Sequence, residues 1–275
     1  MKRIFTLLLA TLCVAGYLNS QVNYTANDQV TPYTGVFRPG INMGYYPPYY
    51  TNDDLVNIAA GNPALNLKGI GARTYRPALY DHITETWGID QLVSTFQHGQ
   101  SLGMGDLTMI VGFPAEWHRD NTYYCQPNDP YHIYCNSNND PYNPDCKCAL
   151  FANLYTPIWD GGANGTPYND DNYLAAYMYN LVTTYKDYVK FWEIWNEPGF
   201  DHSYVQGWQP PGGPGNWWDN DPSPCVNHFH APIQRFVRTL RICYDVIKTV
   251  DPDAYVALAG VGFESFLDAV LRNTD

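Results

Sequence analysis

The chain has 275 residues, 45% hydrophobic and 16% aromatic, enough apolar material for one large core and too much for a disordered or collagen-like protein. Fifteen Lys and Arg against 27 Asp and Glu leave a formal charge of −12, which repels polyanions such as nucleic acid and anionic membrane surfaces at long range. With 24 Tyr, 11 Phe and 8 Trp beside only 15% charged residues, the composition suits a flat, neutral, hydroxyl-rich ligand held by stacking and hydrogen bonds.

At the amino terminus Lys2 and Arg3 precede an apolar run over 4–15, too short for a stable bilayer anchor and patterned as an export signal. Residues 1–20 are expected to be removed near Ser20 and Gln21, leaving one domain over 21–275 that is secreted or periplasmic and not membrane-bound. Thr11 and Leu12 before Cys13 are not the small residues of a lipid-attachment site. The other six cysteines are Cys125, Cys135, Cys146, Cys148, Cys225 and Cys243. An even number in an exported chain reads as disulfides, and a local bridge within 125–148 with a Cys225–Cys243 pair is one of the possible arrangements. Zinc is the rival, although Cys146 and Cys148 lack the usual two-residue gap.

Further on, short apolar runs alternate with polar loops and with segments of helical period, the pattern of βα units. The predicted strands are 36–43, 69–75, 107–113, 189–196 and 254–261. Helical stripes are formed by Leu92, Val93, Phe96 and Leu102, and then by Tyr173, Leu174, Tyr177, Met178, Leu181 and Tyr185. A long helix over 232–250 carries Ile233, Phe236, Val237, Leu240, Tyr244 and Ile247 at core spacing, while Arg235, Arg238 and Arg241 fall off the stripe and read as a solvated face. A last helix covers 264–271.

Parallel strands joined by helices leave an open doubly wound sheet or a closed eight-unit (β/α)8 TIM barrel. Long excursions over 114–170 and 198–231 follow the third and fourth strands, at the carboxyl ends where barrels build their sites, and no G-x-G-x-x-G turn follows the first. The barrel is preferred, and because only five strands are countable it is read as truncated after about five βα units. The stretch over 123–148 is a loop in which Asn128, Asp129, Asp140 and Asp145 form Asx-turns or, less in keeping with their spacing, a calcium site.

The densest chemistry lies in Phe191-Trp192-Glu193-Ile194-Trp195-Asn196-Glu197-Pro198-Gly199, an apolar strand closed by Asn-Glu-Pro. Pro198 ends pairing, so Glu197 stands at the carboxyl end of the strand. On an ideal strand Glu193 shares its parity but sits roughly 13 Å deeper. That separation matches neither the retaining nor the inverting carboxylate spacing, so Glu193 is read as a buried structural acid with a basic partner.

The run from Trp192 to Pro198 resembles the end of the fourth strand in clan A glycoside hydrolases, the retaining TIM-barrel β-glycosidases that include cellulases and β-xylosidases. That resemblance implies Glu197 as general acid/base and Asn196 as a hydrogen-bond partner of the sugar hydroxyl beside the scissile carbon. Gly71-Ala72-Arg73-Thr74-Tyr75-Arg76-Pro77 is similar to the second strand of the same enzymes, and Arg73 matches the arginine that keeps the nucleophile ionised. Trp117 and His118 resemble the aromatic and the histidine beside the reactive sugar, each with a plain loop role as the other reading. Trp208, Trp217 and Trp218, and likewise Tyr45 and Tyr46, either stack on sugar rings or close the barrel mouth.

No nucleophile is assignable by motif, since the glutamate of the family's seventh strand has no counterpart here; Glu116 and Glu264 are the in-chain candidates, with cap or loop roles as the alternative. The expected function is a secreted retaining hydrolase of β-glycosidic bonds in plant-type or other polysaccharide or oligosaccharide, needing no cofactor and no metal. The alternative is a non-catalytic carbohydrate-binding barrel without the nucleophile. A metal-dependent hydrolase using His202, His228 and His230 ranks third. Asn23-Tyr24-Thr25 and Asn164-Gly165-Thr166 match glycosylation sequons.

Overall fold

The computed structural model describes residues 30–42, 51–125, 147–200, 208, 210–212, 217–218 and 225–273. In chain order these form β1 (Gly40–Asn42), α1 (Asn52–Ala60), β2 (Thr74–Arg76), α2 (Asp81–Trp87), α3 (Val93–Ser101), β3 (Leu107–Val111), α4 (Tyr173–Tyr185), β4 (Val189–Ile194), β5 (Cys225–Val226), β6 (Ala231–Pro232), α5 (Ile233–Val250), β7 (Tyr255–Leu258) and α6 (Glu264–Arg272). The export signal, Tyr45, Tyr46, His202 and the Asn128–Asp145 loop lie outside the described residues.

Each predicted strand range contains or overlaps a strand, and the pairing is parallel: β1 with β2, β3 with β4, and β4 with β7. Just beyond β2, Ile110 N donates to Pro77 O and Leu79 N donates to Ile110 O, both at 3.0 Å, which links the first pair of strands to β3. The order β1-β2-β3-β4-β7 therefore advances in one direction, with β5 and β6 a two-residue antiparallel ladder inside the excursion after β4. A doubly wound sheet reverses its strand order at a switch point, and no reversal occurs among the described strands. The fold is α/β with parallel strands and interposed helices; the described strands do not close on themselves.

The central strands are buried on both faces toward their carboxyl ends. Leu107, Met109 and Val111 on β3 and Trp192 and Ile194 on β4 are all buried, as are Leu174, Met178, Leu181 and Tyr185 on α4 and Phe236, Ile242 and Val246 on α5, which packs along α4. Each such side chain contributes about 2 kcal/mol on burial before the entropy of ordering is subtracted. Two tyrosines of α4 tie it to the chain after β2: Tyr185 OH donates to Ile89 O at 2.7 Å, and Tyr177 OH donates to Leu79 O at 2.5 Å. At the amino ends of the strands Tyr33 packs edge-on to Phe191 and Tyr255, and its hydroxyl donates to Asp106 at 2.7 Å.

Two expectations are corrected. Two of the three α5 arginines are not on a solvated face: Arg235 meets the Asp120 carboxylate at 2.5 Å and lies over the Tyr124 ring, and Arg238 donates to Leu154 O at 2.9 Å, whereas Arg241, its side chain 40% exposed, pairs with Asp245 of its own helix at 3.6 Å. Arg235 and Arg238 clasp the excursion that follows β3. Nor do all six cysteines pair: Cys148 and Cys243 are free buried thiols, which excludes a Cys225–Cys243 bridge, while Cys125 is disulfide-bonded to a partner outside the described side chains. Cys243 faces the packed core of α5, and burial pushes the Cys148 thiol up to about 11.

Tyr177→Phe leaves the Leu79 carbonyl without its donor in a dry environment and is expected to cost about 1–3 kcal/mol in urea unfolding. Asp120 gives a pH signature. Burial alone would raise its carboxyl, but bonds from Thr122 and Tyr124 together with Arg235 outweigh burial and hold it below the usual carboxylate range. A depressed folded-state value stabilises the fold above the unfolded value near pH ~4 and loses that contribution as pH falls through the folded value. Asp120→Asn is therefore expected to flatten the acid limb of a stability-against-pH profile.

Candidate functional site

The carboxyl ends of β1, β2 and β4 converge on one guanidinium. Arg76, the last residue of β2, donates through Nε and Nη2 to the two oxygens of Glu193, each at 2.6 Å. The same side chain donates to Asn196 Oδ1 at 3.3 Å and to Asn42 Oδ1 at 3.2 Å. Glu193 is only 9% exposed, so a two-point ion pair is the condition for its burial. The bond to Glu193 raises the Arg76 pKa further against the opposing effect of burial, and the charge of Glu197 adds to the same field. Tyr80 stands near this pair and its hydroxyl is raised by burial, with Arg76 opposing and Glu193 reinforcing the shift.

Above the ion pair the backbone is strained. β4 ends at Ile194, yet Trp195 N still donates to Val111 O at 2.9 Å before the chain turns. Trp195 and Glu197 have φ of 72° and 48°, and Phe113, just past β3, has φ of 50°. A non-glycine residue held at such angles costs about 1–3 kcal/mol, and such strain gathers at functional sites. Packing imposes it: the Trp195 ring stacks on Phe113 with centroids 4.3 Å apart, and Phe113 in turn meets Tyr80 at 4.5 Å. Gly112 makes room for that stack, since a Cβ there would lie 2.8 Å from the Trp195 ring.

Glu197 rides on this turn. It is exposed, its carbonyl accepts from Phe200 N at 3.0 Å, and its Cγ lies 4.0 Å from where a side chain at Gly260, past the end of β7, would begin. Pro198 and Gly199 are buried beneath, Gly199 against the Phe266 ring of α6. Because Trp195 and Glu197 turn at positive φ, the ideal-strand parity that related Glu193 to Glu197 stops at Ile194. Asn196 accepts from Arg76 through Oδ1, which leaves its Nδ2 to donate to a ligand oxygen. The arrangement offers an exposed carboxylate on a rigid turn, an oriented amide donor beside it, and a second carboxylate neutralised below.

Arg73, which the resemblance matches to the arginine that keeps the nucleophile ionised, lies apart from the Glu193 ion pair. Its guanidinium donates to Ala60 O at 3.1 Å, at the carboxyl end of α1, and to Ala72 O at 2.8 Å. Residue parity is the reason: Arg73 shares a side with Tyr75, which is buried against Phe96 of α3, whereas Arg76 faces the other way. Tyr75 as the core residue of that strand was the available signal. Asn42 and Tyr80 stand in no motif that would mark them in the sequence.

His118 is held apart from the ion pair, its Nδ1 2.8 Å from Asp81 Oδ2 and its ring stacked on Tyr173 at the start of α4. Burial raises the Asp81 carboxyl, with the Ala115 amide and His118 opposing. Trp117 is exposed and its indole donates to Glu85 at 3.2 Å. Asp81, Glu85 and His118 are the described cluster of metal-ligating type, and their bonds run to one another and to neighbouring protein groups. His228 contacts Phe200 O at 2.9 Å, and His230 is buried. Glu116 pairs with Arg119 at 3.4 Å. The three loop tryptophans part company: Trp217 is buried against Phe266 and its carbonyl accepts from Arg272, Trp218 is half-buried, and Trp208 is 77% exposed. Trp208, Trp218 and Glu264 line one cavity.

Removing Arg76 strands a buried carboxylate. Arg76→Met is expected to lower unfolding free energy by about 3 kcal/mol in denaturant titration, against about 1 kcal/mol for Arg73→Met, which gives up only carbonyl bonds. Equal losses would show that the Arg76–Glu193 pair contributes no more to stability than the carbonyl bonds of Arg73.

No protein-family model matches the chain, and no curated protein matches it in sequence.

Proposed function

We propose that the protein is an exported retaining β-glycosidase or endoglycanase, that its parallel strands are part of a (β/α)8 barrel, and that Glu197 is the general acid/base. The observation that carries this reading is the single Arg76 guanidinium that binds Glu193, Asn196 and Asn42 beneath the exposed Glu197. A barrel is supported by the one-directional strand order, and a saccharide substrate by the uncharged amide donor and the aromatic surfaces beside the carboxylate.

In the first step the Glu197 carboxyl gives its proton to the glycosidic oxygen as the C1–O bond breaks. The sugar passes to a carboxylate nucleophile, and the ionised Glu197 then takes a proton from the water that attacks C1. Asn196 Nδ2 donates to the hydroxyl beside C1. The nucleophile is left unassigned, because Glu193 is engaged by Arg76 and Glu116 by Arg119. That engagement favours a second reading, a carbohydrate-binding protein without turnover, which calls for oligosaccharide binding and no product.

Glu197→Gln is expected to slow hydrolysis of substrates with poor leaving groups by about 100-fold or more while leaving sugar affinity intact. Proton NMR of the first product should show the anomeric configuration of the substrate. An unchanged rate in the variant removes Glu197 from the mechanism, and an inverted product removes the double displacement.

A further inference from the structure

We propose that the cavity beside Glu197 binds a sugar unit carrying a protonated amine. The inference deepens the glycosidase reading and rests on it for the sugar ring; the preference for positive charge rests on the cavity alone.

The cavity has a volume of about 540 Å³ and is walled by four aromatic rings, those of Phe200, Trp208, Trp218 and Phe263. It adjoins the general acid/base, since Phe200 follows Glu197 by three residues and bonds to its carbonyl at 3.0 Å. The rings do not lie parallel. Trp208 meets Phe263 edge-on, with centroids 5.6 Å apart at 78°, and Phe200 is tilted 51° against Phe263 at 5.5 Å. Walls set at different angles do not form a parallel sandwich, and an aromatic face turned toward a guest offers it negative quadrupole.

Among the described lining residues Glu264 is the one that ionises. The nearest basic residue of the same helix, Arg272, lies at the far end of α6, where it pairs with Asp268 and donates to Trp217 O. Ser265, also in the lining, is 1% exposed and its Oγ has no hydrogen-bond partner, a buried polar atom able to accept from an N–H donor. Aromatic faces, one carboxylate and an unsatisfied hydroxyl together form a cation-binding set. A neutral sugar gains stacking and hydrogen bonds here but no attraction between charges, and an acidic sugar meets both Glu264 and a chain of net charge −12.

The test is calorimetry on the full chain carrying Glu197→Gln, so that no ligand is turned over, with a glucosamine trimer, its N-acetylated counterpart and cellotriose. The glucosamine trimer is expected to bind about tenfold tighter than cellotriose. Adding Glu264→Gln should abolish that difference and spare the cellotriose affinity, whereas adding Trp208→Ala should weaken both. Circular dichroism checks that each variant is folded. Equal affinity for the three trimers overturns the charge preference and leaves the glycosidase reading standing. Failure of all three to bind overturns the cavity assignment, and the hydrolysis and product-configuration assays on the native chain then judge the glycosidase reading separately.

Discussion

Everything at the carboxyl ends of the strands hangs from the bond between Arg76 and Glu193. The two residues come from β2 and β4, with β3 between them, so the ion pair spans the sheet from one side of β3 to the other. A carboxylate buried as deeply as Glu193 is tolerable only if its charge is met at both oxygens, and a planar guanidinium is the side chain that does so with fixed geometry. Because the same cation also holds Asn42 and Asn196, the ends of three strands are set by one group. Little is gained in net stability from such a pair compared with apolar packing. What it provides is position: Asn196 cannot turn its amide away while Arg76 is anchored.

A second continuity runs through aromatic rings. From Tyr80 the contacts pass to Phe113 and Trp195, on to Phe229 and Phe236, and then through Phe266 and Trp217 to Phe263 and the cavity. Neighbouring centroids along this path lie between 4.3 and 6.2 Å apart. Rings have few torsions and lose little entropy when fixed, so an array of this kind is stiff as well as apolar. The Asn-Glu-Pro turn sits on it, and this packing holds Trp195 at positive φ beside Glu197.

The α/β character was legible because buried parallel strands and amphipathic helices leave different periods, and the runs ending at Val111 and Ile194 and the stripe from Tyr173 to Tyr185 show both plainly. Glu193 was legible as a buried acid because a charge inside an apolar strand needs a counter-charge. Its partner was not, since choosing between Arg73 and Arg76 requires knowing which side of a three-residue strand faces the helices, and so short a strand carries almost no alternation. Arg235 and Arg238 misled for a related reason: a position off the core stripe faces solvent only if no long loop lies over it, and here the excursion after β3 does. Cys148 and Cys243 show that an even count of cysteines sets no pairing when a thiol can be buried as an ordinary small apolar group.

The left-handed turns at Phe113, Trp195 and Glu197 also bear on how this protein could be made sturdier. At Asn66 and Asn153, both with φ of 56°, the chain already uses a residue that tolerates such angles. At the three positions near the sheet's carboxyl ends it does not, and a thermostability campaign would be drawn to install glycine or asparagine there. Relieving that strain would dissolve the Phe113–Trp195 stack and release the very carboxylate the turn aims. Robustness in this fold has to be sought away from those turns, because there ease of folding and accuracy of aim are opposed.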